Sequence, residues 1–245
     1  MSDGTYPKPI ALEDVCLRID GKEILQRVTF AADERRIGIV GRNGSGKTTM
    51  ARVMAGLVAP TSGRVTIDGV DVAHDRRGAL GAVGILFQNP DHQIIFPTVE
   101  EEIAFGLTQQ GLGKAEVAVA TTAILRRFGK EHWAKAAVHL LSQGQKQLVC
   151  LMAVLAMAPR VILLDEPLSG LDLPTRIQLQ RYLAQIEARL VHISHDPANL
   201  EGYERVIWIE AGRIHADGSA AEVLGAFSKR MAELGEADDI SNLAS

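Results

Sequence analysis

The stretch Gly41-Arg42-Asn43-Gly44-Ser45-Gly46-Lys47-Thr48-Thr49 restricts the folds open to this chain more than any other. It follows the apolar run Ile37-Gly38-Ile39-Val40 and precedes a helix-forming segment, Met50 to Leu57. Strand, glycine-rich loop and helix form the context in which G-x-x-x-x-G-K-[ST] builds a phosphate cradle. The glycines let the backbone curl so that several N–H groups point inward, and the positive end of the next helix adds to them. Lys47 is then placed to set its ammonium on the β- and γ-phosphates of a nucleotide, and Thr48 to offer its hydroxyl to Mg²⁺. Every residue of the stretch but Arg42 is an expected nucleotide contact: Gly41, Asn43, Gly44, Ser45, Gly46, Lys47, Thr48 and Thr49.

The 245 residues, 47% hydrophobic and 23% charged, suit one large α/β domain or one domain with an inserted lobe. Strands are expected over Ile10 to Ile19 and Arg27 to Ala32 around a turn at Asp20-Gly21, then over Arg36 to Val40, Arg64 to Ile67 and Ala82 to Phe87. From about residue 91 to 159 the texture becomes helical. Thr98 with Glu101, and Ser142 with Gln145, have capping-box spacing. Lys114 to Phe128 reads as a further helix, and a short one is expected near His132–Ala137. Strands resume at Val161 to Leu164, whose unbroken apolar run suits a central parallel strand. Thr175 to Glu187 reads as a helix, Leu190 to Ser194 as a strand, and Asp196-Pro197 as the cap of a short helix. Val206–Ile209 and Arg213–Ala216 suggest a hairpin, and Ser219 to Leu224 a helix. A loose acidic end with Glu236, Asp238 and Asp239 is expected after it. The whole, 1–245, is a single domain: a nucleotide-binding core from 1–90 and 160–245, and a helical lobe from 91–159.

A net charge of −4 implies no bulk attraction to nucleic acid or anionic lipid. Cys16 and Cys150 both lie in apolar runs and read as buried thiols in a reducing compartment. Met1-Ser2-Asp3-Gly4 shows no secretion pattern, and the longest apolar run, Leu148 to Ala158, is too short to cross a bilayer. The expectation is a soluble cytosolic protein that reaches a membrane through a partner.

The hydrolytic half of the site is expected where Val161-Ile162-Leu163-Leu164 ends in Asp165-Glu166. Asp165 should lie close to Thr48 and hold Mg²⁺ through water; Glu166 can orient or deprotonate an attacking water. His195, where another strand ends, is assigned a γ-phosphate contact. Gln88 ends a third strand and can reach Mg²⁺ or the water, with an ordinary exposed amide as the alternative.

The order of these motifs resembles the nucleotide-binding subunits of ATP-binding cassette (ABC) transporters over nearly the whole chain. The phosphate loop is Gly41–Thr48, the glutamine loop Gln88, the signature Leu141-Ser142-Gln143-Gly144-Gln145, the acidic strand Ile162–Glu166, the next loop Ser169-Gly170-Leu171-Asp172, and the switch histidine His195. The resemblance implies a P-loop NTPase core with a mostly parallel sheet, an N-terminal antiparallel β region and an inserted helical lobe. It also implies a sandwich dimer, in which each ATP lies between one subunit's phosphate loop and its partner's Ser142, Gly144 and Gln145, with Asp172 acting across the interface. Ser142 and the N–H groups after it open a helix, which makes a second anion site. Two departures stand out. No aromatic occurs near Ile19, where the family stacks adenine, so nucleotide choice should be looser. Gln143 replaces the usual glycine, and activity should survive.

The stretch from Phe87 to Gly106 is similar to that of energy-coupling-factor importers for vitamins, cobalt and nickel, and most like the ATPases of biotin importers. That resemblance implies two partners, a transmembrane coupling subunit and a substrate-capture membrane subunit, with this chain peripheral on the cytoplasmic face of the inner membrane. Identical cassettes are favoured for the dimer. Glu100–Glu102 are assigned to basic residues of the coupling subunit, or alternatively to a solvated helix start, and Ile94, Ile95 and Phe96 to an apolar groove. The competing function is a soluble ABC ATPase outside transport, a translation or DNA-repair clamp.

Overall fold

The computed structural model describes residues 10–237. Strands β1 (Ile10–Ile19) and β2 (Lys22–Ala32) form a hairpin that closes at Ile19↔Lys22. The turn between them, Asp20 and Gly21, has φ of 48° and 80°. Two left-handed residues match the twist of the flanking strands, so β2 begins at once, five residues before the expected Arg27. Strand β3 (Arg36–Val40) feeds the phosphate loop and helix α1 (Lys47–Met54), which starts earlier than the Met50 expected because Lys47 already lies within its first turn. Then come β4 (Ser62–Ile67), β5 (Val70–Asp71), α2 (Arg76–Ala82) and β6 (Val83–Leu86).

Between β6 and the next strand the chain is mainly helical: α3 (Val99–Gln109), α4 (Lys114–Arg127) and α5 (Gln143–Ala156). The helix expected near His132–Ala137 is instead two separate 3₁₀ turns, Glu131–Trp133 and Val138–Leu140. The segment between them is drawn into an antiparallel bridge, Thr98↔Ala137. The chain continues through β7 (Val161–Asp165), α6 (Leu173–Ala184), β8 (Arg189–Ser194), a 3₁₀ turn Pro197–Leu200, β9 (Arg205–Glu210), β10 (Arg213–Gly218) and α7 (Ala220–Ala237). Helix α7 runs far past the expected Leu224, because Val223, Leu224 and Phe227 all pack under Trp208 and Val206. Glu236 is therefore helical. Asp238, Asp239 and the Met1–Gly4 start lie outside the described residues.

The four-stranded sheet has the order β2-β1-β4-β5, with antiparallel neighbours, and the six-stranded sheet β10-β9-β3-β8-β7-β6, parallel save for β10. The apolar run of β7 is buried on both faces. Val161 and Leu163 pack with α1 and the antiparallel sheet, whereas Ile162 and Leu164 pack with α5. Alternation then places Asp165 on the α1 face.

Candidate nucleotide site

The phosphate loop leaves β3 under close constraint. A Cβ on Gly41 would stand 2.3 Å from the Ile209 carbonyl oxygen and 2.8 Å from Ser45 Oγ, so only glycine fits. Gly46 takes φ of 103° and no side chain caps α1, which leaves the first N–H groups of that helix pointing at the loop's concavity. Lys47 is 6% exposed, and its Nζ donates to the carbonyls of Gly41 (2.7 Å) and Arg42 (2.8 Å). Burial lowers the Lys47 pKa, while Glu166 and Asp165 pull it back up. Ser45 Oγ is buried without a hydrogen-bond partner. Uncapped N–H groups, an enclosed ammonium and an orphaned hydroxyl suit a phosphate chain.

Asp165 lies on the α1 face as alternation requires, and Thr48 Oγ1 donates to its Oδ1 at 3.0 Å. Desolvation raises the Asp165 pKa, with the Thr48 hydrogen bond opposing. Glu166 follows in the left-handed region at φ 51°. Its N–H donates to the Ile193 carbonyl (3.1 Å), and its Oε1 accepts from the His195 N–H (2.7 Å) and lies 2.8 Å from His195 Nδ1. Gln88 Nε2 donates to Ser169 Oγ at 3.2 Å. Asn43, Gly44, Gly46, Lys47, Thr48 and Thr49 share one cleft of about 480 Å³ with Gln88, Glu166 and His195. Thr48, Gln88 and Asp165 form an oxygen donor set that fits a hard divalent cation completed by phosphate and water. Among the described residues no group of three or more His, Cys, Asp or Glu competes for it.

Sequence reasoning missed Ile24, which also lines this cleft together with Ser169 of the loop after the acidic strand. A strand expected to begin only at Arg27 leaves Ile24 outside it, whereas β2 begins at Lys22 and includes it. The exposed Ile19 does not line it, so the apolar wall beside the phosphate loop is Ile24.

The signature residues lie elsewhere. Ser142 and Gln145 cap α5 reciprocally: Gln145 N–H donates to Ser142 Oγ (3.3 Å) and Ser142 N–H to Gln145 Oε1 (2.8 Å). Gly144 is pressed on α6, where an added Cβ would stand 2.2 Å from Thr175 Cγ2. Asp172 caps α6 by accepting from Thr175 N–H at 3.1 Å. Ser142, Gly144 and Gln145 line a separate hollow of about 180 Å³ with Thr175. Gln143 turns the other way, into a cleft of about 680 Å³ shared with Thr48, Gln88 and Asp165. The phosphate loop and the Ser142–Gln145 cap thus line separate cavities, and Gln143 reaches the cleft of Thr48 and Asp165.

The glutamates assigned to a partner are occupied within the chain. Glu100 pairs with Lys135, Glu101 caps Thr98, and Glu102 accepts from the N–H groups of Ile95 and Phe96, both at 2.9 Å. Glu102 is buried and its carboxylate is taken up by that backbone, so it is not part of a solvated helix start, whereas Glu101 is exposed and Glu100 half-buried beside the exposed Lys135, as the solvated alternative has them.

Residues 25–169 match the ABC transporter family. The biotin transport ATP-binding protein BioM of Rhodobacter capsulatus is 50% identical over 93% of this chain and 97% of its own length. The cobalt import ATP-binding protein CbiO of Syntrophus aciditrophicus is 37% identical over 76% of this chain and 68% of its own. Among solved structures, cbiO1 of Clostridium perfringens, part of an ABC transporter complex, superposes with a TM-score of 0.76 at 27% identity, covering 93% of this chain and 94% of that one. A dimeric ATP-binding cassette holding ADP and Pi gives 0.74 at 25% identity, over 86% and 98%. The phosphate loop, the acidic end of β7 and these likenesses agree: the chain belongs to the ABC transporter family and is one of its ATP-binding, ATP-hydrolysing subunits.

Proposed function

We propose that this subunit energises an importer of the energy-coupling-factor kind, with biotin as its cargo, by ATP-driven pairing of two identical copies. The observation that carries the pairing is the separation of the half-sites. Ser142, Gly144 and Gln145 lie outside the cleft that holds Lys47, Glu166 and His195, so both sets meet one γ-phosphate only when a second copy supplies the signature. The cargo rests on the likeness to BioM along nearly all of both chains.

In this arrangement Lys47 and the uncapped N–H groups of α1 hold the phosphates, and Glu166 takes the proton of a water whose oxygen attacks the γ-phosphorus. The bond between that phosphorus and the β,γ-bridging oxygen breaks, leaving ADP and phosphate. His195, hydrogen-bonded to Glu166 through Nδ1, keeps the carboxylate aimed. Thr48, Asp165 and Gln88 are the residues to hold Mg²⁺, which supplies charge stabilisation of the phosphoryl oxygens when bound. Asp172 holds α6 against the signature, and thereby the start of α5.

Among the described residues no helix is long and apolar enough to cross a membrane. The likeness to BioM supports a chain that acts from the cytoplasmic face through a transmembrane coupling subunit, which in turn carries a substrate-capture subunit. The surface suited to that contact is Ile95, 71% exposed, beside the Phe96–Phe105 stack with ring centroids 5.0 Å apart. The test is Glu166→Gln. It should bind ATP, run as a dimer on light scattering only with ATP, and hydrolyse it at least ~100-fold more slowly, the usual scale for losing a general base. A variant that hydrolyses like wild type, or stays monomeric with ATP, removes the proposal; biotin uptake by cells expressing the subunit with its membrane partners tests the cargo.

A further inference from the structure

Lys146 stands on α5, one turn from the Ser142 cap. Its Nζ lies 2.7 Å from Asp91 Oδ1, so the pair crosses from the signature helix to the 3₁₀ turn Pro90–His92 just after Gln88. The Lys146 side chain is 19% exposed and that of Asp91 62%. The next residue, Gln147, is 1% exposed and donates from Nε2 to the Phe87 carbonyl at 3.0 Å, just before Gln88. Adjacent residues of one helix thus grip the glutamine loop on both sides. They project about 100° apart around the helix axis, so the two bonds together fix an orientation that either alone would leave as a hinge. Asn89 stiffens the turn by accepting from Asp91 N–H at 3.0 Å, and Glu102 ties down Ile95 and Phe96. Between the two grips, Gln88 touches Ser169 on the loop after Glu166.

We infer that Lys146 and Asp91 form a positioning latch, which makes the segment bearing Ile95 and the signature end of α5 one rigid body. A displacement imposed at Ile95 is then delivered to Ser142 rather than absorbed in the loop. Lys146 stands at the border of the cleft that Thr48 and Gln88 also line, with its Nζ engaged by Asp91, and it acts through the placement of Ser142 and Gln88. The inference rests on the reading that Ile95 faces a membrane subunit, and the two can be tested apart.

Nitroxide labels on cysteines replacing the exposed Ile95 and Leu140 report the body's rigidity in a Cys16→Ser background, with Cys150 buried. Lys146→Met should at least double the width of the interlabel distance distribution with little change in melting temperature, while Lys146→Arg keeps it narrow. An unchanged width in Lys146→Met, or equal broadening in Lys146→Arg, overturns the latch. In the complex co-purified with its membrane partner, Lys146→Met should keep the basal hydrolysis of the isolated chain within twofold and lose at least fivefold of the partner's stimulation, with Lys146→Arg retaining it. Stimulation undiminished in Lys146→Met also overturns the latch. If the wild-type chain responds to no membrane partner, the transport reading falls, and the distance widths alone still decide the latch.

Discussion

Gly144→Ala offers a sharp test of how the signature is held. The added Cβ would lie 2.2 Å from Thr175 Cγ2, with Thr175 Cβ and Oγ1 at 3.4 and 3.5 Å. Only the methyl is intolerable, but Thr175 sits in the first turn of α6, where its own N–H is tied to Asp172. Relief therefore requires α5 and α6 to separate or Thr175 to rotate, an overpacking cost of about 1–3 kcal/mol. For a chain of this size that lowers the melting temperature by roughly 2–12 °C. Thr175→Ser removes the methyl and leaves ordinary contacts. In that background alanine should be neutral or stabilising by up to ~1 kcal/mol, because Gly144 is a helical glycine. Thermal unfolding of the four proteins completes the cycle, with an expected coupling of about 1–4 kcal/mol. If Gly144→Ala costs the same in both backgrounds, the contact does not hold the signature in place.

Asp165→Asn should be more stable than wild type at pH 7 yet inactive. Desolvation raises the folded carboxyl above its ordinary value of about 3.9. Wild-type stability from this group is thus complete below that value and lost as pH rises through the folded one, so the melting-temperature gap should open between these points. A wild type as stable as the variant at pH 7 refutes the sign. Glu102→Ala leaves the Ile95 and Phe96 N–H groups without their acceptor and should cost ~1.5–3 kcal/mol per lost charge-assisted bond, with Glu102→Gln milder; denaturant unfolding measures it, and a neutral Glu102→Ala shows that the segment is not anchored there. Glu166 is a non-glycine residue at φ 51°, so Glu166→Gly should melt higher than Glu166→Ala by about 1–2 kcal/mol, the reverse of their usual order. Equal stability of those two variants would show that the backbone relaxes once the carboxylate is gone.

The parts of this molecule that were legible in the sequence are those fixed by local patterns. Gly41 and Gly46 announce a loop because nothing else suits that backbone, and the run Val161–Leu164 announces a strand covered on both faces. The Ser142–Gln145 cap could be read from spacing alone, since both partners lie within one helical turn. What could not be read depends on neighbours distant in sequence. Ile24 enters the nucleotide cleft because a two-residue turn starts β2 early and its carbonyl meets Gly46 and Gly212. The acidic run Glu100–Glu102 looks like a free charge patch until Lys135, Thr98 and the Ile95–Phe96 backbone are seen to claim one carboxylate each. The two acids ending β7 show both kinds of information at once. Alternation alone gives Asp165 the α1 face and Thr48, and would send Glu166 to the opposite face, among the packing of α5. A left-handed residue breaks that alternation, and the break is what brings the Glu166 carboxylate to His195, just past the end of β8. Pattern puts an acid at the strand's end, and a single strained dihedral turns it into a base facing the cleft.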